Sequence, residues 1–308
     1  MKRDFISVMD LGDELEDVID FAISMKAKQR MGKCPEYLKG KFLGMIFEKP
    51  SLRTRVSFEI GMRQLGGTAL YLSPSEIQVG KRESVHDVAK VMSRFVDGIM
   101  YRAFDFKVMH ELARHAEVPV INGLDNLEHP CQILADLQTV KEHKGRLKGL
   151  KLSWIGDGNN VCNSLLLGTA LAGMDMSVAA PEGYGPNTGI VREAKKVAKK
   201  KGTVIVLTSD VKEAVRGADV LVTDTWVSMG DEAEKAKREA SFKGFQINSK
   251  VLSWADRTAI VLHCLPAHRG QEITNQVMDG SHSVVFDEAE NRLHAQKAVM
   301  VKLMGAKQ

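Results

Sequence analysis

Apolar and polar residues follow two alternating patterns along this chain. Short apolar runs such as KFLGMIF at 41–47 end at turn residues, whereas segments such as residues 84–95 repeat their apolar positions with helical spacing. Because the apolar runs alternate with the helical segments, the pattern predicts right-handed crossovers between parallel strands. The chain is therefore expected to adopt an α/β fold.

The same rhythm occurs in both halves of the chain. A helix that begins near His129 joins the halves, and another helix begins near residue 287. We predict two doubly wound parallel-sheet domains joined by helices, over residues 1–130 and 131–286, with a terminal helix at 287–308. The predicted strands lie at 41–47, 67–73, 97–102, 118–124, 150–157, 175–181, 202–210, 218–224 and 257–266.

Composition narrows the class of protein. The 308 residues are 44% hydrophobic and carry a formal net charge of +4, which favours two packed domains and argues against disorder and nucleic-acid binding. The start of the chain lacks the continuous apolar region of a signal peptide, and no apolar run approaches the roughly 20 residues of a membrane span. The scattered cysteines indicate neither a disulfide framework nor a zinc site, so we expect a reduced cytoplasmic protein. They are Cys34, Cys131, Cys162 and Cys264.

Polar residues directly after a strand are site candidates, because ligands of open α/β sheets bind beyond the carboxyl ends of strands. The segment FEKPSLRTRVSFE follows the first predicted strand, and Pro50 places the start of a helix at or after it. The first amide groups of that helix, with the hydroxyls of Ser51 and Thr54, suit a phosphate dianion. Arg53 or Arg55 would supply a forked, permanently charged partner. An ordinary helix cap at Ser51 with surface arginines explains the same residues equally well.

Two other positions in the first half attract attention. Arg102 ends a predicted strand, where a lone arginine is usually a surface residue. His129 and Gln132 lie at the start of the joining helix, with Pro130 between them. A lone histidine in such a place is more often structural than catalytic.

The segment GDGNNV follows a strand and opens a helix in the second half. Gly156 and Gly158 fit the first two positions of a dinucleotide-binding fingerprint, but Val161 occupies the third. Glu182, after the next strand, would be the ribose-binding acid in this hypothesis. The match is partial, so a second hypothesis is needed.

That second hypothesis is a site for an amino-acid zwitterion. Asn159 and Asn160 offer amide groups to a carboxylate or an amine. Asp224 ends a strand and could hold a cationic amine, and the loop that contains Ser228 and Met229 could bind a carboxylate. Ser228 as an ordinary helix cap is the competing interpretation.

Cys264 ends the last predicted strand and has charged neighbours. Most cysteines in such strands are inert core residues, but His263, His268 and Arg269 make this one unusual. A cysteine–histidine nucleophile pair is conceivable, although adjacent residues of a strand point to opposite faces.

Taken together and in this order, the motifs SLRTR, HPCQ, DGNN, DTWVSMG and HCLPAHRG resemble those of the ornithine carbamoyltransferases, within the aspartate/ornithine carbamoyltransferase superfamily. The resemblance covers nearly the whole chain, including ALYLSPSEIQVGKRES and ENR. It implies a transferase that moves the carbamoyl group of carbamoyl phosphate to the side-chain amine of ornithine, giving citrulline and phosphate. Arginine biosynthesis is the expected role, and the catabolic direction is the alternative. Many members have threonine where this chain has Leu52.

The resemblance also implies the roles of individual residues. Arg102 and His129 would stabilise negative charge on the carbonyl oxygen, and Cys264 would accept a proton or orient the substrate. The implied carbamoyl-phosphate ligands are Ser51, Leu52, Arg53, Thr54, Gln78, Arg102, His129, Pro130, Cys131, Gln132, Cys264, Leu265 and Arg292. The implied ornithine ligands are Asn160, Asp224, Ser228 and Met229.

The resemblance also implies an oligomeric state and a set of binding partners. Gln78 would enter the site of a neighbouring subunit, which implies a homotrimer or a multiple of trimers with sites at subunit interfaces. The C-terminal helix would return to the first domain. The expected partners are the two small substrates, with no nucleic acid, membrane, metal or organic cofactor.

Several alternatives remain at this point. A nicotinamide-dependent dehydrogenase would leave SLRTR and HPCQ without a function, and a non-catalytic binding protein would bind ligands without turnover. Among relatives of the same fold, an aspartate-using enzyme would lack the SMG loop. A putrescine-using enzyme would need no ligand for an α-carboxylate.

Overall fold

The computed structural model describes residues 2–227 and 232–305 and contains two compact units. Unit 1 comprises Met1–Gln138 and Glu290–Gln308, and unit 2 comprises Thr139–Ala289. Each unit has its own parallel sheet with helical crossovers, as described below.

The centre of unit 1 is a parallel sheet. Its strands are β1 (Phe42–Phe47), β2 (Thr68–Leu72), β3 (Gly98–Arg102) and β4 (Val120–Leu124). Within the described residues they form one four-stranded sheet in the order β2-β1-β3-β4. Strand β3 is buried along its whole length, as expected for a parallel strand covered on both faces.

The helices of unit 1 follow the predicted apolar spacing. The fourth helix buries Val85, Val88, Ala89 and Met92 on one face, and the Ser84 hydroxyl caps its start by accepting from the Asp87 amide. A 3₁₀ helix, Val8–Glu14, precedes the first α-helix. The helices are α1 (Leu15–Arg30), α2 (Leu52–Gln64), α3 (Pro74–Ile77), α4 (Val85–Phe95), α5 (Phe106–His115) and α6 (Pro130–Lys144).

Unit 2 contains a second parallel sheet. Its strands are β5 (Lys151–Ile155), β6 (Asp175–Ala179), β7 (Ile205–Thr208), β8 (Val220–Thr223) and β9 (Ile260–His263). Among the described residues the sheet has five strands in the order β7-β6-β5-β8-β9. The remaining helices are α7 (Asn160–Ala172), α8 (Thr188–Lys201), α9 (Val211–Val215), α10 (Lys235–Ser241), α11 (Ser249–Leu252), α12 (Asn275–Met278) and α13 (Val285–Met304).

The predicted α/β fold of two parallel-sheet domains is confirmed. The unit boundaries fall inside α6 and α13, and the C-terminal part of α13 belongs to unit 1. No helix in the described ranges has the length and apolar character that a membrane crossing requires.

The strand orders locate the crevices of both sheets. In unit 1 the chain leaves β1 in one direction to β2 and later returns to β3 on the other side, so the order reverses between β1 and β3. In unit 2 it reverses in the same way between β5 and β8. Ligands of such sheets bind at these reversal points, beyond the carboxyl ends of the strands.

Candidate active site

Ser51 begins α2 directly beyond β1 in unit 1. It has extended backbone angles, and its hydroxyl accepts from the Thr54 amide at 3.3 Å. The sequence-based alternative of a helix cap at Ser51 is thus realised, and it leaves the positive end of the helix dipole at the carboxyl end of the sheet. Leu52 is the first helical residue, and its side chain is 75% exposed.

Two arginines converge on the hydroxyl of Thr54. Arg102, at the end of β3, donates from Nη1 to Thr54 Oγ1 at 3.2 Å, and Arg292, on α13, donates from Nη2 to the same atom at 3.3 Å. Thr54, Arg102 and Arg292 are all buried. Two guanidinium groups on one neutral oxygen concentrate positive charge at the start of α2, which favours an anionic ligand.

His129 and Gln132 lie at the start of α6, whose first residue is Pro130. Gln132 Oε1 accepts from Arg292 Nη1 at 2.6 Å, and Gln132 Nε2 donates to Asp136 Oδ1 at 2.8 Å. Burial lowers the pKa of His129 well below its ordinary value, and the nearby charges of Arg292 and Arg102 lower it further. His129 is therefore neutral near pH 7, with one ring N–H to donate.

Cys131 is buried beside this histidine and is chemically inert. Its Sγ donates to the Asn122 carbonyl oxygen at 3.4 Å, and burial raises its pKa to about 12. The thiol therefore stays protonated and packs as a small apolar group. Any role of Cys131 toward a ligand falls to its backbone.

The structure distinguishes the two candidate arginines of α2. Arg55 is exposed, with its guanidinium 3.9 Å from the centre of the Tyr71 ring and Nε 3.5 Å from Glu59 Oε2. Both partners lie on the surface of unit 1 and hold Arg55 there. Arg53 is half-buried in the first turn of the helix.

Gln78 ends the short helix α3 in unit 1. It is exposed and has a left-handed backbone, with φ of 49° and ψ of 58°. Its carbonyl oxygen accepts from the amides of Lys81 and Arg82 at 2.9 and 3.0 Å, which closes the turn after α3.

In unit 2, Asn159 joins the loop after β5 to the loop after β8. Its side-chain oxygen caps α7 by accepting from the amides of Val161 and Cys162 at 3.0 and 3.1 Å. Its Nδ2 donates to Asp224 Oδ2 at 2.8 Å. Asn160 follows as the first residue of α7, so both asparagines lie at the reversal point of this sheet.

Asp224 also receives the thiol of Cys264. Cys264 Sγ donates to Asp224 Oδ1 at 3.0 Å, so each carboxylate oxygen has a donor. Asp224 is only 8% exposed. A buried carboxylate that is held by two neutral donors keeps its charge available for a cationic amine.

Leu265 and His263 shape the backbone around Cys264. Leu265 has a left-handed φ of 59°, and its amide donates to His263 Nδ1 at 2.9 Å. The other ring nitrogen of His263 lies 3.0 Å from Glu272 Oε1. His263 thus holds the Leu265 amide and does not pair with the neighbouring thiol.

Ser228 and Met229, two of the predicted ornithine ligands, lie outside the described residues. The other predicted residues fall into two sets. The set in unit 1 comprises Ser51, Leu52, Arg53, Thr54, Gln78, Arg102, His129, Pro130, Cys131, Gln132 and Arg292, and the set in unit 2 comprises Asn160, Asp224, Cys264 and Leu265.

Asp224, His263 and Cys264 also form a possible metal-ligand group, with one ligand atom from each within 4.8 Å of the others. These residue types can bind zinc. Both ring nitrogens of His263 are engaged, by Glu272 and by the Leu265 amide. A metal would have to displace one of those contacts, so we interpret the group as a hydrogen-bond network.

Comparison with protein-family models matches residues 3–142 to the carbamoyl-P binding domain of aspartate/ornithine carbamoyltransferase, and residues 148–303 to its Asp/Orn binding domain. The chain belongs to the aspartate/ornithine carbamoyltransferase family. An ornithine carbamoyltransferase of Carboxydothermus hydrogenoformans is 55% identical over 98% of this chain and 98% of its own length. A relative in Thermoplasma volcanium, named a catabolic ornithine carbamoyltransferase, is 52% identical over 98% of this chain and 99% of its own. The structure of ornithine carbamoyltransferase from Pyrococcus furiosus has a TM-score of 0.97 at 46% identity, covering 100% of this chain and 98% of that one.

In a carbamoyltransferase, the glycines of GDGNNV have an explanation that involves no nucleotide. A Cβ atom at Gly158 would lie 2.2 Å from the backbone carbonyl carbon of Gly185, so only glycine fits where these two loops touch. Val161, at the third fingerprint position, is 3% exposed and packs in the core. The dehydrogenase hypothesis is therefore wrong.

Sequence reasoning missed the helix cap and the Asp224 contact of Asn159, and it did not identify Glu272. Asn159 was considered only as a ligand, although asparagine is a favoured helix cap and its remaining amide reaches Asp224. Glu272, which is fully buried, positions His263 from eight residues beyond Cys264. No local pattern marks it, because its partner depends on the path of an irregular loop.

Proposed function

We propose that this protein is an ornithine carbamoyltransferase. It transfers the carbamoyl group of carbamoyl phosphate to the side-chain amine of L-ornithine and gives L-citrulline and phosphate. The observation that carries the proposal is the convergence of Arg102 and Arg292 on Thr54 at the start of α2, in a chain of this family. That arrangement matches a phosphate dianion better than an uncharged ligand.

Unit 1 supplies the ligands of carbamoyl phosphate in this proposal. Ser51, Arg53 and Thr54 bind the phosphate oxygens at the first turn of α2. Arg102 bridges phosphate and carbonyl oxygen, and Gln132 holds the carbamoyl amine. The remaining proposed ligands are Leu52, Gln78, His129, Pro130, Cys131 and Arg292 from unit 1, together with Cys264 and Leu265 from unit 2.

Unit 2 supplies the ligands of ornithine. The Asp224 carboxylate, with a donor on each oxygen, binds an ammonium group of the amino acid. Asn160 offers an amide to the zwitterion, and Ser228 and Met229 are proposed as further ligands. Putrescine and acetylornithine each lack part of this pattern of charges.

The reaction depends on the charge of the attacking amine and on the charge that develops on the carbonyl oxygen. The attacking amine must be neutral, although its unperturbed pKa is roughly 10. Desolvation and nearby arginines favour the neutral amine. Arg102 and neutral His129 donate to the carbonyl oxygen as it gains negative charge, and the amine then displaces phosphate. Cys264 donates its thiol proton to Asp224 and so orients the amine, and the proton that the amine loses leaves with the phosphate.

We also propose a cytoplasmic enzyme that assembles as a homotrimer or a multiple of trimers, with Gln78 entering the neighbouring site. The exposed, left-handed turn at Gln78 supports a contact of this kind, because such a side chain projects from its own unit. Arginine biosynthesis is the proposed role. The catabolic name of the Thermoplasma volcanium relative makes the reverse direction the alternative. Light scattering of the purified protein measures the assembly.

The decisive experiment compares amine substrates in one colorimetric assay for carbamoylated products. Ornithine should give product far faster than putrescine, aspartate or acetylornithine. Binding of carbamoyl phosphate without any turnover would overturn the proposal in favour of a non-catalytic binding protein. Faster reaction with putrescine would place the chain in another branch of the family.

A matched pair of arginine variants tests the phosphate site. Arg53→Ala should lower kcat/KM for carbamoyl phosphate by about 10²-fold or more, because a forked cation to phosphate is lost. Arg55→Ala, two residues along the same helix, should stay within a few-fold of wild type, since Arg55 packs on Tyr71. Equal losses in both variants would contradict the assignment.

A further inference from the structure

Arg238, on α10, links two loops that follow neighbouring strands of unit 2. Its Nη1 lies 3.1 Å from Asp157 Oδ2 and donates to the Trp226 carbonyl oxygen at 3.1 Å. Asp157 belongs to the loop between β5 and α7, and Trp226 follows β8. The side chains of Arg238 and Asp157 are 12% and 11% exposed, so water screens this ion pair weakly.

An aromatic stack reinforces the same connection. Phe242, at the end of α10, stacks on Trp226 with ring centres 5.7 Å apart and planes at 22°. It also meets Tyr184 edge-on at 4.9 Å, and the Arg238 guanidinium lies 5.2 Å from the centre of the Tyr184 ring. The loop after β6, the segment after β8 and α10 are thereby held together.

The linked loops carry the proposed ornithine ligands. Asn160 is three residues after Asp157, and Asp224 is two residues before Trp226. Asn159 connects these loops directly at Asp224 Oδ2, and Arg238 connects them a second time. The spacing of the two groups that would hold the amino acid therefore depends on the Arg238 contacts.

We propose that Arg238 is a positioning residue for the amino-acid substrate. It touches neither substrate; it sets the distance between the Asn160 and Asp224 loops through its contacts with Asp157 and Trp226. The inference rests on the proposed function, because it takes ornithine as the amino acid. Arg238 Nη1 makes both contacts, and the planar guanidinium fixes the directions of its N–H groups, which a freely rotating lysine ammonium does less well.

The test compares the full-length wild-type enzyme with three single variants, each with one substitution in α10. Arg238→Met removes both polar contacts with similar side-chain length, and Arg238→Lys keeps the charge without the fork. Lys237→Met is the matched control, since Lys237 is the exposed neighbour of Arg238 on α10. Steady-state kinetics for both substrates and a thermal melt are measured for each variant.

We expect Arg238→Met to raise the KM for ornithine by about tenfold or more, with the KM for carbamoyl phosphate within about twofold of wild type. Arg238→Lys should recover part of the loss, because an ammonium can still pair with Asp157. Lys237→Met should match wild type in both constants. If Arg238→Met folds as wild type and keeps its ornithine KM, the positioning role is wrong.

Two further outcomes distinguish a failure of the Arg238 proposal from a failure of the proposed function. A wild-type enzyme that forms no citrulline overturns the proposed function, whatever the Arg238 variants do.

If Arg238→Met melts far below wild type, Asp157→Asn serves as the second variant. It keeps the residue's volume, removes the ion pair and should raise the ornithine KM in the same direction. Equal effects of these variants on both substrates would indicate a general structural role and overturn the proposal.

Discussion

The hydroxyl of Thr54 gathers residues from distant parts of the chain. Arg102 is 48 residues away in sequence and Arg292 is 238 residues away, yet both donate to the same oxygen. A neutral acceptor between two guanidinium groups keeps them close without cancelling their charge. A dianion placed there meets a site whose cations are already oriented.

Replacing Thr54 by valine should therefore impair phosphate binding. Valine keeps the shape but gives the two arginines no acceptor, and each hydrogen bond to a charged group contributes about 1.5–3 kcal/mol. We expect kcat/KM for carbamoyl phosphate to fall about 10–100-fold in steady-state kinetics.

Thr54→Ser, which keeps the hydroxyl, should stay within a few-fold of wild type. Ser57→Ala is a control on the same helix, because the Ser57 hydroxyl donates to the carbonyl oxygens of Arg53 and Thr54 within α2. An unchanged Thr54→Val enzyme would show that the two arginines hold their positions by other means.

The roles of some single residues could be predicted from the sequence, and those of others could not. The cap at Ser51 and the helix start beyond Pro50 were predictable, because proline and serine act on their immediate neighbours. The choice between Arg53 and Arg55 was not, since it depends on Tyr71, which comes from another strand. The two donors on Asp224 were equally invisible, because Asn159 and Cys264 are brought to it by the fold.

At the scale of elements, the contact between Gly158 and Gly185 should tolerate no side chain. In Gly158→Ala the added methyl would meet the Gly185 backbone, which cannot move aside like a flexible side chain. We expect a loss of about 1–3 kcal/mol in the free energy of unfolding, measured by urea denaturation, together with weaker ornithine binding.

Gly185→Ala is the control for this substitution. A Cβ atom at Gly185 meets nothing within 4 Å, and its φ lies outside the left-handed region. Its stability should stay within about 0.5 kcal/mol of wild type, as for most surface changes. Similar losses in both variants would point to loop entropy instead of the close contact.

A buried polar network fixes α13 in unit 1. Asn291 Oδ1 accepts from Lys26 Nζ at 2.7 Å and from Gln138 Nε2 at 3.0 Å, and Lys26 is only 5% exposed. Asn291→Leu removes this acceptor and leaves the Lys26 ammonium with the longer contact to Glu290 Oε2 at 3.4 Å, so we expect a loss of about 1.5–3 kcal/mol in the free energy of unfolding.

The double variant Lys26→Met/Asn291→Leu should recover a large part of that loss, because it removes the buried charge together with its partner. Urea denaturation of the two single variants and the double variant measures the coupling. Additive losses would show that Lys26 and Asn291 act independently.

Element boundaries were well predicted where periodicity is long. Helix α4 and strand β3 match the sequence expectation because their apolar spacing persists over the whole element. The four-residue helices α3, α11 and α12 were not predicted. A single turn contains too few apolar positions to establish a period, and tertiary contacts determine whether it forms.

At the scale of the whole molecule, two buried histidines make stability depend on pH. Burial lowers the pKa of His294 to about 4, with the charges of Lys297 and Lys26 adding to the effect, and that of His129 is lowered as well. The unfolded chain protonates these groups near pH 6.5, before the folded one does. Between pH 6.5 and 4 the unfolded state therefore binds more protons, and stability falls as the pH falls.

For His294 alone, the loss between pH 7 and pH 5 should be about 2 kcal/mol. Urea denaturation at both pH values measures it, and the neutral variant His294→Gln should show a smaller difference. Glu290 lies 3.7 Å from His294 and opposes the shift, so Glu290→Gln should enlarge the loss. If wild type and His294→Gln lose the same stability on acidification, His294 is not responsible.

Sequence was most informative about the class of molecule. Strand ends, helix starts and the order of five motifs were enough to predict the α/β architecture and the family, since these depend on local patterns. The pKa of His129 could not be predicted in the same way, because it arises from burial and from arginines contributed by β3 and α13. A titration shift of this kind is a property of the folded unit.

The backbone contact between Gly158 and Gly185 also constrains how this enzyme can diverge. An insertion or deletion in either connection would displace the other, and with it Asn160, which is a proposed ornithine ligand. The two segments must therefore change length together or not at all. Relatives that accept a different amino acid would be expected to carry compensating indels at both places.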